Sequence, residues 1–223
     1  MALFDTFASN YQQLVTENVR ITGESSDYFA AYKAEYVARR VARPAGGRLL
    51  DYGCGVGLLC GHLKRRLPRV QIDGFDISQD SVARISGDLQ SQGSFTSNLK
   101  EVGHSYDFIV LSNVLHHVKP KERPDLIEEV CSRLASGGKL VIFEHNPINP
   151  LTGWAVSQCP FDGDAVLLPS GESRAYFRGE LRLMWRDYIV FFPRWLAWLR
   201  PLEPALQWCP LGAQYAVVGE RRS

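Results

Sequence analysis

The sequence lacks the features that mark several common classes of protein. None of its five cysteines forms a CxxC pair, so a zinc site or a dithiol redox motif has no support. No uninterrupted apolar stretch approaches the length of a membrane span. The formal net charge of +1 gives no general electrostatic case for a nucleic-acid partner. An odd cysteine count, an early Asp5 and no basic N-terminal segment lead us to expect a cytoplasmic protein.

The central part of the chain alternates between strand-like and helix-like segments. With 223 residues, of which 45% are hydrophobic and 22% charged, the chain is long enough for one α/β domain with a full core. The alternation predicts a mainly parallel, doubly wound sheet. The predicted strands are RLLDYG, VQIDGFDI, SFTSNL, YDFIVLSNVL and KLVIFEHN, and the predicted helices are LLCGHLKRRL, SQDSVARISGDLQSQ and KERPDLIEEVCSRLA.

The two flanks of this region have different patterns. Residues 1–45 are rich in aromatic residues at helical spacing and predict an N-terminal helical cap, followed by the main domain at 46–223. After Pro147, YIVFFP and QYAVVGE are typical of strands, and RWLAWLRPLEPALQW predicts an interrupted helix. For this aromatic segment we favour packing against the sheet edge. A lid over an apolar substrate and a helix lying on a membrane surface are the alternatives.

Three glycines at alternate positions lie between a predicted strand and a predicted helix, in RLLDYGCGVGLLCGHL. A dinucleotide fingerprint requires a third glycine where Leu58 stands, and a P-loop requires Gly-Lys-Ser/Thr, which is absent. The spacing therefore supports neither phosphate-binding loop. A turn without side chains still allows close approach of a ligand to the backbone, although a purely structural turn is the simpler alternative.

The sequence around this turn resembles a known family, the class I S-adenosylmethionine-dependent methyltransferases. The resemblance rests on LLDYGCGVG, on Asp76 at the end of IDGFDIS about 20 residues downstream, on YDFIVLSNVLHHV and on LASGGKLVIFEHNP. It covers the chain from about Leu49 to Pro147. It implies a Rossmann-like methyltransferase fold of seven strands with the last strand reversed, S-adenosylmethionine as cofactor, and a roof formed by the N-terminal helices and a C-terminal insert.

The resemblance also implies which residues bind the cofactor. The glycine turn passes its amino-acid part and is supported by Asp51, the carboxylate of Asp76 accepts from the two ribose hydroxyls, and Asn98 faces the adenine amino group. For Asp76, capping of the next helix is the alternative. The complete set is Tyr11, Asp51, Gly53, Cys54, Gly55, Gly57, Asp76, Ile77, Asn98, Leu99, Ser112, Asn113 and His117.

Two histidines are candidates for catalysis. His145 follows a predicted strand at its carboxyl end, where ligands of open α/β sheets bind, and an imidazole can accept a hydroxyl proton near neutral pH. Anchoring of the turn at Asn146 and Pro147 is an equally good role for it. His116 is the second candidate. Because His116 and His117 are adjacent, and adjacent residues rarely converge on one ion, we expect no metal site.

These features predict an enzyme that transfers a methyl group from S-adenosylmethionine to oxygen, nitrogen or carbon of a small-molecule acceptor. The alternatives are a nicotinamide-dependent oxidoreductase, a cofactor-binding scaffold without turnover, and a peripheral membrane methyltransferase with a lipid-linked acceptor. We expect no nucleic-acid partner, and contact with a membrane surface is the less favoured interpretation. The sequence does not define the acceptor or the oligomeric state.

Overall fold

A seven-stranded sheet forms the centre of the part of the chain that the computed structural model describes, residues 23–41, 46–158 and 165–222. Its order is β3-β2-β1-β4-β5-β7-β6. The strands are β1 (Gly47–Tyr52), β2 (Val70–Phe75), β3 (Phe95–Thr96), β4 (Tyr106–Ser112), β5 (Leu134–His145), β6 (Leu181–Ile189) and β7 (Gln214–Arg221).

The first five strands run parallel to one another, and β7 runs antiparallel to both of its neighbours, β5 and β6. The predicted mainly parallel sheet with a reversed last strand is confirmed. The chain moves outward from β1 in one direction and from β4 in the other. The crevice at the carboxyl ends of β1 and β4 is therefore the switch point at which sheets of this kind bind ligands.

Helices cover both faces of the sheet. The α-helices are α1 (Ser26–Arg40), α2 (Leu58–Arg66), α3 (Gln79–Ala83), α4 (Gly87–Gln90), α5 (Arg123–Ser132), α6 (Pro150–Ser157), α7 (Ser170–Ala175) and α8 (Glu203–Leu206). Short 3₁₀ helices span Leu99–Glu101, Leu115–His117, Pro120–Glu122 and Arg194–Leu202. Within the described ranges, no helix is long and apolar enough to cross the hydrocarbon core of a membrane.

Two hydrophobic cores lie on opposite sides of the sheet. On one side, Val37 of α1 and Leu63 of α2 pack with Val110 of β4. On the other side, Val130 of α5 packs with Ile109 of β4. Successive residues of a strand face opposite sides, so a strand covered on both sides must be continuously apolar. This requirement explains the uninterrupted apolar run of β4.

Three predicted elements differ in the structure. The single helix predicted from Ser78 is two short helices, because Ser86 takes an extended conformation and its hydroxyl accepts from Leu89 N at 3.4 Å, which starts α4. The strand predicted at YIVFFP is the end of a longer strand that stops at Ile189, because Val190 has a left-handed φ of 61°.

The third difference concerns the glycine turn predicted before KLVIFEHN. Gly137 and Gly138 lie inside β5, where the pairing with β4 shifts register. Gly137 has φ 72°, and a Cβ on Gly138 would lie 2.8 Å from the carbonyl oxygen of Tyr106. The glycines therefore form a bulge within the strand, because both a left-handed residue and a close backbone approach are needed there.

Of the predicted N-terminal cap, the structure describes α1, whereas residues 1–22 and 42–45 lie outside the described residues. The boundary at residue 46 stays a prediction. Helix α1 begins with Ser25, whose hydroxyl accepts from Tyr28 N at 3.3 Å. Tyr36 of this helix donates to Asp187 of β6 at 2.6 Å, which ties α1 across the sheet face.

Candidate active site

The glycine turn joins β1 to α2 at the carboxyl edge of the sheet. Gly53, Gly55 and Gly57 all have left-handed φ angles, of 89°, 52° and 78°. A Cβ on Gly53 would lie 2.4 Å from Val114 Cγ2, so the fold itself requires that glycine. A Cβ on Gly55 would meet no atom within 4 Å. The middle glycine therefore borders open space where a ligand can approach the backbone.

Asp76 connects this turn to the start of α3. Its Oδ2 accepts from Gly55 N at 2.8 Å, and its Oδ1 accepts from Ser78 N at 2.9 Å. The helix itself is capped by Ser78, whose hydroxyl accepts from Ser81 N at 3.1 Å. Each carboxylate oxygen can accept more than one hydrogen bond, so Asp76 keeps capacity for the hydroxyls of a ligand.

Asp51 is a buried carboxylate with one unsatisfied oxygen. Only 1% of the residue is exposed, and its Oδ2 accepts from the Cys60 thiol at 3.1 Å. Within the described residues, its Oδ1 has no hydrogen-bond partner. Burial is the main reason that the pKa of Asp51 rises from 3.8 to about 6. A buried, unpaired carboxylate oxygen is costly, and a cationic donor on a ligand would remove that cost.

Lys33 reaches into the same region from α1. Its ammonium donates to Ser112 Oγ at 2.9 Å and to Asn113 Oδ1 at 3.1 Å, and it lies 5.6 Å from the centre of the Phe143 ring. Burial lowers the pKa of Lys33 from 10.5 to about 8, against the attraction of Glu144 and Asp51. A cation at the ends of β4 and β5 suits an anionic group of a ligand.

The sequence interpretation did not include Lys33, although a signal for it exists. Ala30, Ala34 and Val37 form the buried stripe of α1, and Lys33 lies three or four residues from two of them. A lysine on the buried stripe of an amphipathic helix needs a partner, because an isolated buried charge is unfavourable.

A second buried carboxylate, Glu144, contacts a cluster of three histidines, His116, His117 and His145, which we call the histidine cluster. Its Oε1 accepts from Leu115 N at 2.7 Å, and its Oε2 lies 2.6 Å from His116 Nδ1. Burial opposes ionisation of Glu144, but the charge and hydrogen bond of His116 outweigh it and lower the pKa of this carboxyl. The His116 ring centre lies 4.2 Å from that of His117 and 5.2 Å from that of His145.

His145 ends β5 and is half-buried. Its Nε2 lies 3.4 Å from Asn113 Nδ2, and Asn113 itself has a left-handed φ of 58°. The turn that follows β5 is held by Asn146, whose amide donates to the carbonyl oxygens of Pro210 at 2.9 Å and Gly212 at 2.7 Å. The imidazole of His145 thus lies beside the end of β4, where Lys33 also reaches.

The remaining predicted positions lie near the end of β3 or outside the described residues. Asn98 Oδ1 accepts from Lys100 N at 3.2 Å, and its amide donates to Glu101 Oε1 at 3.0 Å. Leu99 begins the next 3₁₀ helix, and Ile77 beside Asp76 is 61% exposed. Tyr11 lies outside the described residues. Sequence reasoning missed Glu101, the carboxylate beside Asn98.

A strand order that reverses beside β1, an open glycine turn after β1 and an acid after β2 fit the class I S-adenosylmethionine-dependent methyltransferases that the sequence resembles. The family model described as a methyltransferase domain matches residues 26–188, and the chain belongs to this family. The cofactor of the family is S-adenosylmethionine. This assignment replaces the nicotinamide alternative.

Individual proteins resemble the chain over much of its length. An uncharacterized methyltransferase of Staphylococcus carnosus is 30% identical over 65% of this chain and 67% of its own length. The ubiquinone biosynthesis O-methyltransferase of Xanthomonas campestris is 31% identical over 78% of this chain and 69% of its own length. The crystal structure of magnesium protoporphyrin IX methyltransferase from Synechocystis, with bound S-adenosylhomocysteine, has a TM-score of 0.63 at 16% identity, over 92% of this chain and 86% of that chain.

Some relatives are much longer than this chain. The ribosomal RNA small subunit methyltransferase C of Chromohalobacter salexigens is 33% identical over 54% of this chain, which spans only 38% of that protein. The names of these relatives specify different acceptors, ribosomal RNA in one case and an intermediate of ubiquinone biosynthesis in the other.

Proposed function

We propose that the chain transfers a methyl group from S-adenosylmethionine to oxygen, nitrogen or carbon of a small-molecule acceptor. The observation that carries the proposal is the buried Oδ1 of Asp51, for which the described part of the chain supplies no hydrogen-bond partner, on the strand that leads into the open turn at Gly55. Both features fit the cofactor, whose amino-acid part offers an ammonium group. When bound, the cofactor supplies a methyl group on a positively charged sulfur, which is already a good leaving group.

Different residues of this chain are assigned to the amino-acid part, the ribose and the adenine of the cofactor. Asp51 accepts from the ammonium group of the cofactor, and Lys33 donates to its carboxylate. Each buried charge of the protein therefore faces the opposite charge of the zwitterion. Asp76 accepts from the ribose hydroxyls while it holds the glycine turn. The adenine end is assigned to Asn98, Leu99 and Ile77, and the methionine end to Gly53, Cys54, Gly57, Ser112, Asn113, His117 and Tyr11.

On the acceptor side, His145 is assigned as the base. Its half-buried ring at the end of β5, 3.4 Å from the Asn113 amide, can hold a proton taken from an acceptor hydroxyl. His116 lies deeper and is held by Glu144, so its role is to support the cluster and to set the local charge. Most of the rate then comes from holding the acceptor in line, because the leaving group needs no further activation.

A small-molecule acceptor is favoured by the relative that is 31% identical over 78% of this chain, whose name specifies O-methylation in ubiquinone biosynthesis. The net charge of +1 gives no general electrostatic case for a polyanionic partner such as ribosomal RNA. Among the activities of the relatives, methylation of a small molecule therefore fits this chain best.

Calorimetry with S-adenosylhomocysteine tests the cofactor part of the proposal. We expect binding by the unaltered protein and a loss of at least about tenfold in affinity for Asp76→Ala, because a charge-assisted hydrogen bond contributes about 1.5–3 kcal/mol. Asp125→Asn, an exposed acid on α5, serves as the matched control and should bind normally. Equal affinity of all three proteins would contradict the assignment.

The catalytic part is tested with radiolabelled S-adenosylmethionine and a panel of phenols, catechols, amines and sugars. His145→Gln should retain cofactor binding in calorimetry yet lose turnover of hydroxyl acceptors below neutral pH, where little acceptor is ionised. Turnover of the variant equal to that of the unaltered protein across the pH range would exclude His145 as the base.

A further inference from the structure

The carboxyl edge of the sheet carries an exposed apolar surface beside the site. Trp195, Trp198 and Trp208 are 72%, 75% and 75% exposed, and Leu151, Trp154 and Leu211 are at least half exposed. We call these six residues the tryptophan rim. The sequence interpretation favoured packing of this segment against the sheet edge, but the indole rings point into solvent. An exposed patch of this size usually marks a contact surface.

The two parts of the rim are joined in the structure. The amide of Asn149 donates to the carbonyl oxygen of Leu211 at 2.7 Å, and Thr152 Oγ1 donates to that of Ala213 at 2.9 Å. Helix α6 therefore lies against the segment that leads into β7, which brings Leu151 and Trp154 to the end of the 195–211 segment. The rim begins a few residues after His145, next to the mouth of the site.

The charged side chains near the rim point away from it. Within 195–211, all of which the structure describes, the charged residues are Arg200 and Glu203. Arg200 forms an ion pair with Glu24, and Glu203 is only 3% exposed and accepts from the backbone N–H groups of Phe191 and Phe192 at 3.0 and 3.1 Å. Residues 148–158 contain no charged residue. The rim is thus an uncharged surface with its acids withdrawn.

The exposed charges at the border of the rim are basic. Arg194 is exposed directly before Trp195. Arg40, whose side chain is 40% exposed, donates to Gln207 Oε1 at 3.0 Å, beside Trp208, and on its inner side forms an ion pair with the buried Asp187 at 3.1 Å. An uncharged apolar face with arginines at its border complements a layer of anionic headgroups above hydrocarbon, and tryptophan is the side chain most typical of that interface.

We propose that the tryptophan rim docks this protein on the surface of a bilayer that contains anionic phospholipids. The docked protein turns the carboxyl end of β5 and the amino end of β7, where His145 pairs with Gln214, toward the headgroups. The inference deepens the proposed function, because a methyltransferase in this orientation receives acceptors that are carried at the lipid surface.

Vesicle binding tests the docking directly. The unaltered protein is sedimented with vesicles of phosphatidylcholine and phosphatidylglycerol, and with vesicles of phosphatidylcholine alone. We expect tighter binding to the anionic vesicles, and we expect quenching of tryptophan fluorescence by brominated lipid. Each of Trp195→Ala, Trp198→Ala and Trp208→Ala should reduce partitioning about tenfold, which corresponds to about 1.4 kcal/mol. Met184→Ala, on β6 outside the rim, is the matched control and should bind normally.

Several outcomes would overturn the docking. The first is no binding of the unaltered protein to anionic vesicles, and the second is binding of the three alanine variants that equals that of the control. The third is a concentration-dependent dimer that the same variants abolish, because a second copy would then cover the rim. Thermal shift with S-adenosylhomocysteine verifies that each variant is folded. Quenching in the unaltered protein remains decisive if a variant does not fold. Vesicle binding requires no cofactor, so its failure leaves the proposed function untouched, and failure of cofactor binding leaves the docking result valid.

Discussion

The substitution Asp51→Asn separates what the buried carboxylate costs the fold from what it contributes to binding. In the protein without ligand, burial raises the pKa of Asp51 from 3.8 to about 6. This difference corresponds to about 3 kcal/mol of destabilisation when the carboxyl is ionised. The folded state binds this proton more tightly than the unfolded state does. The destabilisation is therefore absent below pH 3.8, grows as the pH rises to about 6, and is complete at higher pH.

We expect the difference in unfolding free energy between Asp51→Asn and the unaltered protein to become more favourable to the variant by about 2.4 kcal/mol between pH 4 and pH 7. The constant part of that difference includes the cost of a buried amide, so the change with pH is the quantity to measure. Urea denaturation at a series of pH values provides it.

The variant should gain stability at neutral pH but lose affinity for the cofactor. Without the carboxylate, the ammonium group of S-adenosylhomocysteine meets no anion, and we expect an affinity loss of about 10- to 100-fold in calorimetry at pH 7.5. Two results would refute the reasoning: a difference in stability that does not change with pH, or an affinity within error of the unaltered protein. The first would mean that Asp51 is not desolvated, and the second that Oδ1 does not face the cofactor.

Three further predictions concern the turn, α1 and the histidine cluster. Gly55→Ala should fold, with a free energy of unfolding lowered by about 1 kcal/mol because alanine disfavours a left-handed φ. Gly53→Ala should be far less stable, because its Cβ would overlap the side chain of Val114, and chemical denaturation compares the two variants. Lys33→Met should weaken binding of S-adenosylhomocysteine by about tenfold or more while binding of 5′-methylthioadenosine, which lacks the carboxylate, stays unchanged in calorimetry. Glu144→Gln should lower the free energy of unfolding by about 1.5–3 kcal/mol in urea denaturation, since Leu115 N and His116 Nδ1 lose a charged hydrogen-bond partner.

Local patterns were sufficient to predict most of the fold. The apolar run of β4 suits a strand covered on both faces, and the alternation of segments predicts a mainly parallel sheet. The predictions failed where one residue changed the backbone direction. Ser86 starts a new helix inside a region of helical spacing, and Val190 ends β6 inside an apolar run, and neither event changes the hydrophobic period.

The site was predictable where its residues are close in sequence. The glycine turn and Asp76 belong to one strand–helix–strand unit, so spacing alone relates them. Lys33 was missed because it comes from a helix that precedes the whole sheet, and its partners Ser112 and Asn113 follow nearly 80 residues later. Glu144 was missed because its neighbour in the sequence is His145, whereas its partner in the structure is His116, which lies on the loop after the adjacent strand β4.

The charges of the site indicate what kind of ligand it requires. Lys33 donates to neutral oxygens of Ser112 and Asn113, and Asp51 accepts from a thiol, so neither buried charge forms a direct ion pair with the other. Two opposite charges that are buried in one region and held apart are both poorly solvated. A ligand with a single charge could relieve only one of them. An amino-acid zwitterion can relieve both, so the electrostatics of this site favour the amino-acid part of S-adenosylmethionine independently of the glycine turn.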